Sequence, residues 1–136
     1  MFVFDYHKRV RYGETDQMGY LYYGNYPLLY EIGRAESIRS LGISYKELEE
    51  SLKVMMPVLE VKSRYISPLK YDENIKIRTL LKERPTKMIH FYHEIYGENE
   101  VLAHKGEVKL FFVDMTSNKR VSCPKYLSDK IEIYFD

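Results

Sequence analysis

Between Arg11 and Arg39 a loop dense in glycine runs directly into a helical segment, and this join dictates how the rest of the chain can be arranged. Gly13, Gly19 and Gly24 punctuate a stretch that also holds Glu14, Asp16 and Asn25. The backbone there must bend tightly while presenting carboxylates among aromatic rings. From Asn25 to Leu41 only Gly33 interrupts, and Pro27 falls near the first turn, where its missing N–H costs nothing. One long helix is predicted. Its apolar residues Leu28, Leu29, Tyr30, Ile32, Ala35, Ile38 and Leu41 spread over most of the circumference, which predicts a helix enclosed nearly all round. Glu31, Arg34, Glu36 and Arg39 then need partners, with Glu31 set to pair with Arg34. Asn25 is placed to cap the helix start, Gly42 to stop its end, and Ser44 with Glu47 to open a short second helix.

After Lys53 the apolar period changes from helix to strand. In 57–66, Leu59, Val61 and Tyr65 take one face and Glu60, Lys62 and Arg64 the other. A second strand, 74–82, alternates Ile75, Ile77, Thr79 and Leu81 with charged residues, and 88–96 reads as a third. A short link at Gly97–Glu100 leads to a fourth strand over 101–113, whose core face holds Leu102, His104, Gly106, Val108, Leu110 and Phe112. A glycine on such a face marks close approach of another backbone, and the enclosed helix is the candidate. With an opening strand over 2–12, the pattern predicts an α+β fold: a curved antiparallel sheet wrapped around one long central helix, in one domain of residues 1–136. Residues 124–136 carry no clear period. A sheet this aromatic leaves edges to cover, which calls for association with further copies.

Charge and cysteine content narrow the function classes. Lys and Arg number 21 against 20 Asp and Glu, so no global field exists to hold a nucleic acid or an anionic membrane, and any anion must be bound by local charges. No apolar run is long enough for stable membrane insertion, and the single Cys123 fits a reducing, cytoplasmic setting. Four scattered histidines lack metal-ligand spacing, so neither a metal nor another cofactor is called for.

The stretch Arg11-Tyr-Gly-Glu-Thr-Asp-Gln-Met-Gly-Tyr-Leu-Tyr-Tyr-Gly-Asn-Tyr resembles the signature of hotdog-fold acyl-CoA thioesterases of the 4-hydroxybenzoyl-CoA thioesterase type, closest to the branch associated with the Tol-Pal system. Glu31, Arg34, Glu36 and Arg39 resemble that branch's helix, and Tyr65, Pro68, Tyr71, Asp72, Phe112 and Asp114 its later landmarks. The resemblance implies a hotdog fold, a homodimer or homotetramer, an acyl-CoA substrate, Asp16 as the catalytic carboxylate, and an oxyanion hole of backbone N–H groups around Tyr23 and Gly24. Gly19, Asn25 and Tyr26 are the loop positions expected to touch substrate. The sequence departs from that branch at Tyr23, where the branch usually has histidine, so no histidine side-chain role carries over.

The residues support such chemistry on physical grounds. A thioester carbonyl under attack develops oxyanion charge that helix-start N–H groups stabilise. The leaving thiol, with a pKa of about 8.5, departs with little help from an acid. One carboxylate then suffices, acting on a water as general base or on the carbonyl as nucleophile. Asp16 has an equally plain role as a turn residue bonding its own backbone. Tyr20, Tyr22, Tyr23, Tyr26 and Tyr30 can wall an acyl pocket or simply pack. Glu31 is a rival acid, since other hotdog thioesterases place theirs on the helix. Lys62, Arg64, Arg84, Lys87 and Lys105 are candidates for coenzyme A phosphates, with Arg64, Arg84 and Lys87 the expected contacts. His104 reads as a hydrogen-bonded core histidine, and His90 and His93 as surface or interface residues. Two alternatives stay open: hydrolysis of acyl carrier protein thioesters, and a non-catalytic hotdog protein that only binds acyl thioesters. A dehydratase would want a histidine near the loop, and none lies between His7 and His90.

Overall fold

The computed structural model describes residues 1–136. In chain order the elements are β1 (Phe2–Arg9), α1 (Tyr26–Ser40), α2 (Tyr45–Glu50), β2 (Val54–Met55), β3 (Val58–Tyr65), β4 (Asn74–Leu81), β5 (Met88–Tyr96), β6 (Leu102–Asp114), β7 (Lys119–Val121) and α3 (Lys125–Glu132), with short 3₁₀ turns at Tyr12–Glu14, Tyr23–Asn25 and Glu98–Glu100. The sheet is antiparallel throughout, in the order β1-β4-β5-β6, with β3, β2 and β7 all pairing along the long β6. It curls around α1, the α+β hotdog layout that the sequence predicts.

Strands β4, β5 and β6 form because β-branched and aromatic residues recur every second position, and the alternation puts Ile75, Ile77, Thr79, Ile89, Phe91, Ile95, Val108, Leu110 and Phe112 in one core beneath α1. Helix α1 lays Tyr26, Leu29, Tyr30, Gly33, Arg34, Ser37 and Ile38 into that core. This is a stripe at the helical spacing rather than an all-round burial; Leu28 and Glu31 face outward. The apolar pattern spreads because three buried positions are glycine, arginine and serine, so the polarity of the stripe hides its direction. The helix ends as expected: Gly42 sits at φ +88, its N–H donates to the Arg39 carbonyl, and the Ile43 N–H reaches back to Ile38. Ser44 accepts from the Glu47 N–H and opens α2.

Two close approaches let helix and sheet meet. A Cβ on Gly106 would lie 2.2 Å from the Tyr30 ring, so the clearance on β6 is for a side chain of α1 and not for its backbone. A Cβ on Gly33 would lie 2.4 Å from the Thr79 hydroxyl. The C-terminal segment, which has no legible period, is the helix α3. It buries Leu127 and Ile131 and is tied by Glu132 to Arg84 at 3.0 Å.

Strand β3 is unlike the others. It pairs only with β6, its other edge is free, and Val58, Leu59, Val61 and Tyr65 are all at least 43% exposed. Both of its faces are open, so the two-faced pattern of charged and apolar residues does not correspond to one buried face here.

Candidate active site

The loop between β1 and α1 is held by hydrogen bonds that its own sequence supplies. Lys8 donates to Glu14 Oε1 at 2.7 Å, and the Arg11 N–H donates to the same oxygen at 2.7 Å. Burial works against the charge on Glu14, but these donors and the positive charge of Lys8 outweigh it and hold the carboxyl below its ordinary value. The Glu14 carbonyl in turn accepts from the Tyr22 N–H and from Asn25 Nδ2, both at 2.9 Å. Asn25 therefore does not cap α1 with its side chain, as its position suggested; it lies in helical backbone geometry and turns back to tie the loop together. Glu14 is the hub of this loop, a role signalled in the sequence only by a second carboxylate close to Asp16.

Asp16 sits in an Asx turn. Its Oδ1 accepts from the Met18 N–H at 2.9 Å and the Tyr20 N–H at 3.2 Å, and its backbone pairs with Tyr20 and Gly19. Gly19 makes the turn with φ +78, a conformation that side-chain-bearing residues avoid. Oδ2 takes no part in these bonds. Asp16 lines a groove of about 320 Å³ together with Met18, Tyr20, Leu21, Tyr23, Tyr26 and the segment from Tyr65 to Pro68. Carboxylate, helix start and apolar wall are thus brought together within one subunit.

At the helix start, the 3₁₀ turn closes with the Asn25 N–H donating to the Tyr22 carbonyl at 2.9 Å. Tyr23 and Gly24 are its first two residues, the positions at which a helix leaves N–H groups without internal partners. A Cβ at Gly24 would meet the Tyr22 ring at 2.6 Å, so the turn and its tyrosines fit only around glycine. The Tyr65 hydroxyl donates to the Tyr23 carbonyl at 3.0 Å, and its ring packs edge-on against Tyr26 at 5.1 Å and His104 at 4.7 Å.

Beneath the groove lies a buried polar layer. Tyr30 bonds His104 Nε2 and, at 2.7 Å, Ser63; His93 Nδ1 bonds the Thr79 hydroxyl at 3.1 Å. His93 is 1% exposed and His104 is fully buried, so His93 belongs to the core and not to the surface. Its place was legible from strand parity, since it alternates with Phe91 and Ile95. Burial pushes His104 down to about 4 and, with the nearby charges of Arg34 and His104 adding to it, His93 down to about 3. Both rings are neutral at pH 7 and keep one nitrogen without a partner. Burial likewise pushes Tyr26 and Tyr30 up to about 12, so both remain neutral phenols. His90 is half-buried and bonds Glu107 at 2.8 Å. Arg34 is buried against this layer without an ion-pair partner, and Glu31 points to solvent instead of pairing with it.

The three basic residues predicted to meet phosphates are not gathered at the groove of this subunit. Arg64 is exposed on β3 opposite Lys105. Arg84 is paired with Glu132, and Lys87 is exposed at the β4–β5 turn, at the far end of the sheet from the loop.

Known proteins resemble the chain over most of its length. The profile of the family described as Thioesterase-like superfamily matches residues 10–131. YneP of Bacillus subtilis, which bears a provisional acyl-CoA thioesterase name, is 35% identical over 121 residues, covering 88% of this chain and 86% of its own. The acyl-CoA thioesterase YbgC of Haemophilus influenzae is 28% identical over 122 residues, covering 90% of this chain and 89% of its own. Among solved structures, the DHNA-CoA thioesterase from Staphylococcus aureus superposes with a TM-score of 0.88 at 29% identity, covering 98% of this chain and 89% of that one.

Proposed function

This chain belongs to the thioesterase-like superfamily, and we propose that its single hotdog domain, residues 1–136, hydrolyses acyl-CoA thioesters to the free acid and coenzyme A. The observation that carries the proposal is the groove lined by both Asp16 and Tyr23, the first residue of the open helix start that continues into Gly24. The thioester carbonyl oxygen sits against the N–H groups of Tyr23 or Gly24. Asp16 then uses Oδ2 in one of two ways. As general base it takes a proton from a water that attacks the carbonyl carbon; as nucleophile it forms an anhydride that water opens. In both cases the tetrahedral oxyanion collapses, the C–S bond breaks, and the thiolate leaves and is protonated. Oδ1 stays occupied by the Met18 and Tyr20 N–H groups, which aim the carboxylate and limit its freedom to swing. Gly19, Asn25 and Tyr26 shape the loop and the groove floor. We further propose, from the resemblance of the loop and helix residues, that the chain stands beside the Tol-Pal-associated branch, with Tyr23 where that branch usually has histidine.

The functional unit is a dimer built on β3. A free strand edge carrying Val58, Leu59 and Val61 is an association surface, and a second copy is the partner that matches it. Two-fold antiparallel pairing of β3 sets the Val58 end of one subunit beside the Tyr65 end of the other. Lys87 and Arg84 lie toward the Val58 end, because Met88 pairs with Phe111 and the Phe111 N–H bonds Pro57. The partner subunit's Arg84 and the partner subunit's Lys87 then approach the end of the groove that holds Asp16, where Arg64 also lies, and these supply local charge for the coenzyme A phosphates. Light scattering at micromolar concentration checks the dimer, and a stable monomer refutes it. No helix is long and apolar enough to cross a membrane, and one half-buried thiol suits the reducing cytoplasm.

Thiol release measured across short, medium, long and aromatic acyl-CoAs, and the corresponding acyl carrier protein thioesters, tests the function. Turnover on at least one acyl-CoA is expected. Tight binding with no release from any of them would make the protein a non-catalytic binder, and release from the carrier-protein thioesters alone would move the substrate class.

A further inference from the structure

We infer that Tyr65 is a positioning residue for the oxyanion hole: its hydroxyl, by donating to the Tyr23 carbonyl, orients and polarises the peptide that carries the Gly24 N–H. The inference rests on the hydrolase reading above, and it begins from a gap in the helix. In an α-helix the carbonyl of residue 23 would accept from the N–H four residues on. That residue is Pro27, which has none. The α-helical partner of the Tyr23 carbonyl is thus deleted by the sequence, and Tyr65 reaches this oxygen at 3.0 Å from β3.

The consequence follows from peptide geometry. The Tyr23 carbonyl and the Gly24 N–H are opposite ends of one planar, trans unit, so anchoring the oxygen fixes the direction of the N–H. It also fixes the backbone on which Tyr23 holds its own N–H. A hydrogen bond accepted at the oxygen draws charge through the amide and strengthens donation at the nitrogen, by roughly 10–30% per bond in condensed-phase estimates. The neighbouring peptide is arranged in the same way, since the Tyr22 carbonyl, the other end of the unit bearing the Tyr23 N–H, accepts from the Asn25 N–H at 2.9 Å. Both candidate oxyanion donors therefore belong to peptides whose carbonyls are already engaged.

Tyr65 is itself held in place. Its ring packs edge-on against the stacked pair of Tyr26 and His104, with interplanar angles of 84° and 73°. Two residues earlier on the same side of β3, Ser63 bonds Tyr30, one helical turn beyond Tyr26. The strand thus grips α1 at two levels, but only the Tyr65 contact falls on the reacting end. A tyrosine here does more than wall the groove, because phenylalanine would fill the same volume and leave the Tyr23 carbonyl unpinned.

The test is Tyr65→Phe, read with a mimic of the best acyl-CoA substrate in which a methylene replaces the sulfur and the carbonyl carries carbon-13. In the unaltered protein the carbonyl stretch shifts to lower frequency on binding; in Tyr65→Phe it moves back toward its solution value. In steady state kcat falls about tenfold with KM changed less than about twofold, a smaller loss than the 10²–10³ of removing an oxyanion donor outright. A thioether analogue without a carbonyl binds both proteins equally. Ser63→Ala, which cuts the other β3 contact, keeps both kcat and the carbonyl shift. Should Tyr65→Phe fail to fold, a fluorotyrosine at position 65, a stronger donor of the same shape, is expected to deepen the carbonyl shift; no change refutes the inference. Unaltered frequency and kcat in Tyr65→Phe, or a raised KM at constant kcat, also refute it while the hydrolase reading stands. If the unaltered protein releases no thiol and shows no carbonyl shift, both fall together.

Discussion

Acid should destabilise this protein through two residues in particular, His93 and His104. Each is buried under α1 as a neutral ring, with Arg34 beside His93 and no carboxylate bonded to either. Their folded pKa values of about 3 and about 4 lie below the ordinary value of 6.5. Between those limits the unfolded chain binds more protons than the folded one, so stability rises with pH; it is complete above about 6.5 and drains away as pH falls toward the folded values. At pH 5 an unfolded histidine is almost fully protonated while the buried one is not, which costs about 2 kcal/mol per site relative to pH 7. The two sites together forfeit about 4 kcal/mol, a large share of the roughly 5–15 kcal/mol by which a domain is stable. Urea unfolding followed by circular dichroism at pH 7 and pH 5 reads this loss, and the other titrating groups are subtracted by repeating it in variants. His104→Gln should shrink the difference between the two pH values by about half, and His93→Gln with His104→Gln should remove that component almost entirely, whatever either change does to stability at pH 7. An identical difference in the unaltered protein and the double variant would show that the buried rings do not carry the acid sensitivity.

Three further outcomes are expected. Asp16→Asn keeps the Asx turn but removes charge and basicity, so kcat should fall by about a hundredfold or more while acyl-CoA still binds; Glu31→Gln should turn over normally, and the reverse result would move the catalysis to the helix carboxylate. Gly106→Ala places a methyl within 2.2 Å of a Tyr30 ring that is fully buried and bonded to both Ser63 and His104, so the ring cannot step aside. It should cost at least the roughly 1–3 kcal/mol typical of overpacking, measured as a lowered urea midpoint, and an unchanged midpoint would mean the helix shifts freely on the sheet. Arg84→Ala with Lys87→Ala should raise KM for acyl-CoA and flatten its salt dependence, leaving kcat and the KM for a pantetheine thioester without a nucleotide unchanged; equal effects on both substrates would place the phosphate contacts elsewhere.

What the sequence revealed followed from strict period or strong punctuation. Strands β4, β5 and β6 are legible because Ile75, Ile77, Ile89, Phe91, Val108 and Leu110 recur at every second position, and α1 because Pro27 and Gly42 bracket it. The failures have physical causes. By polarity His93 reads as a surface or interface residue, but its parity with Phe91 and Ile95 fixes it in the core, because strand period outweighs side-chain chemistry. Helix α3 was invisible because only Leu127 and Ile131 anchor it, too few contacts for a pattern, and its last turn runs into the apolar Ile133, Tyr134 and Phe135. Helix α1 is less enclosed than its apolar pattern suggests, because its inward stripe contains Gly33, Arg34 and Ser37, which serve close approach and the polar layer rather than hydrophobicity.

Asp16 shows why the plain and the catalytic readings of a loop carboxylate need not compete. Read by itself the residue is a turn former, and only the family resemblance makes it a base or nucleophile. In the structure one oxygen makes the turn, accepting from Met18 and Tyr20, and that occupation fixes where the other oxygen can go. A carboxylate free at both oxygens would pay rotational entropy each time it met substrate; one pinned by its own loop has paid it on folding. The same logic is proposed across the groove, where the hydroxyl that bonds the Tyr23 carbonyl also sets the donor beyond it. On the proposed hydrolase reading, the turn chemistry that stabilises the loop in the absence of substrate also preorganises it for an acyl thioester, with Asp16 and Gly19 acting as a pair. Gly19→Ala, strained at φ +78, should disturb the carboxylate without touching its charge. It should lower kcat while leaving the buried core, and hence the acid profile set by His93 and His104, unchanged.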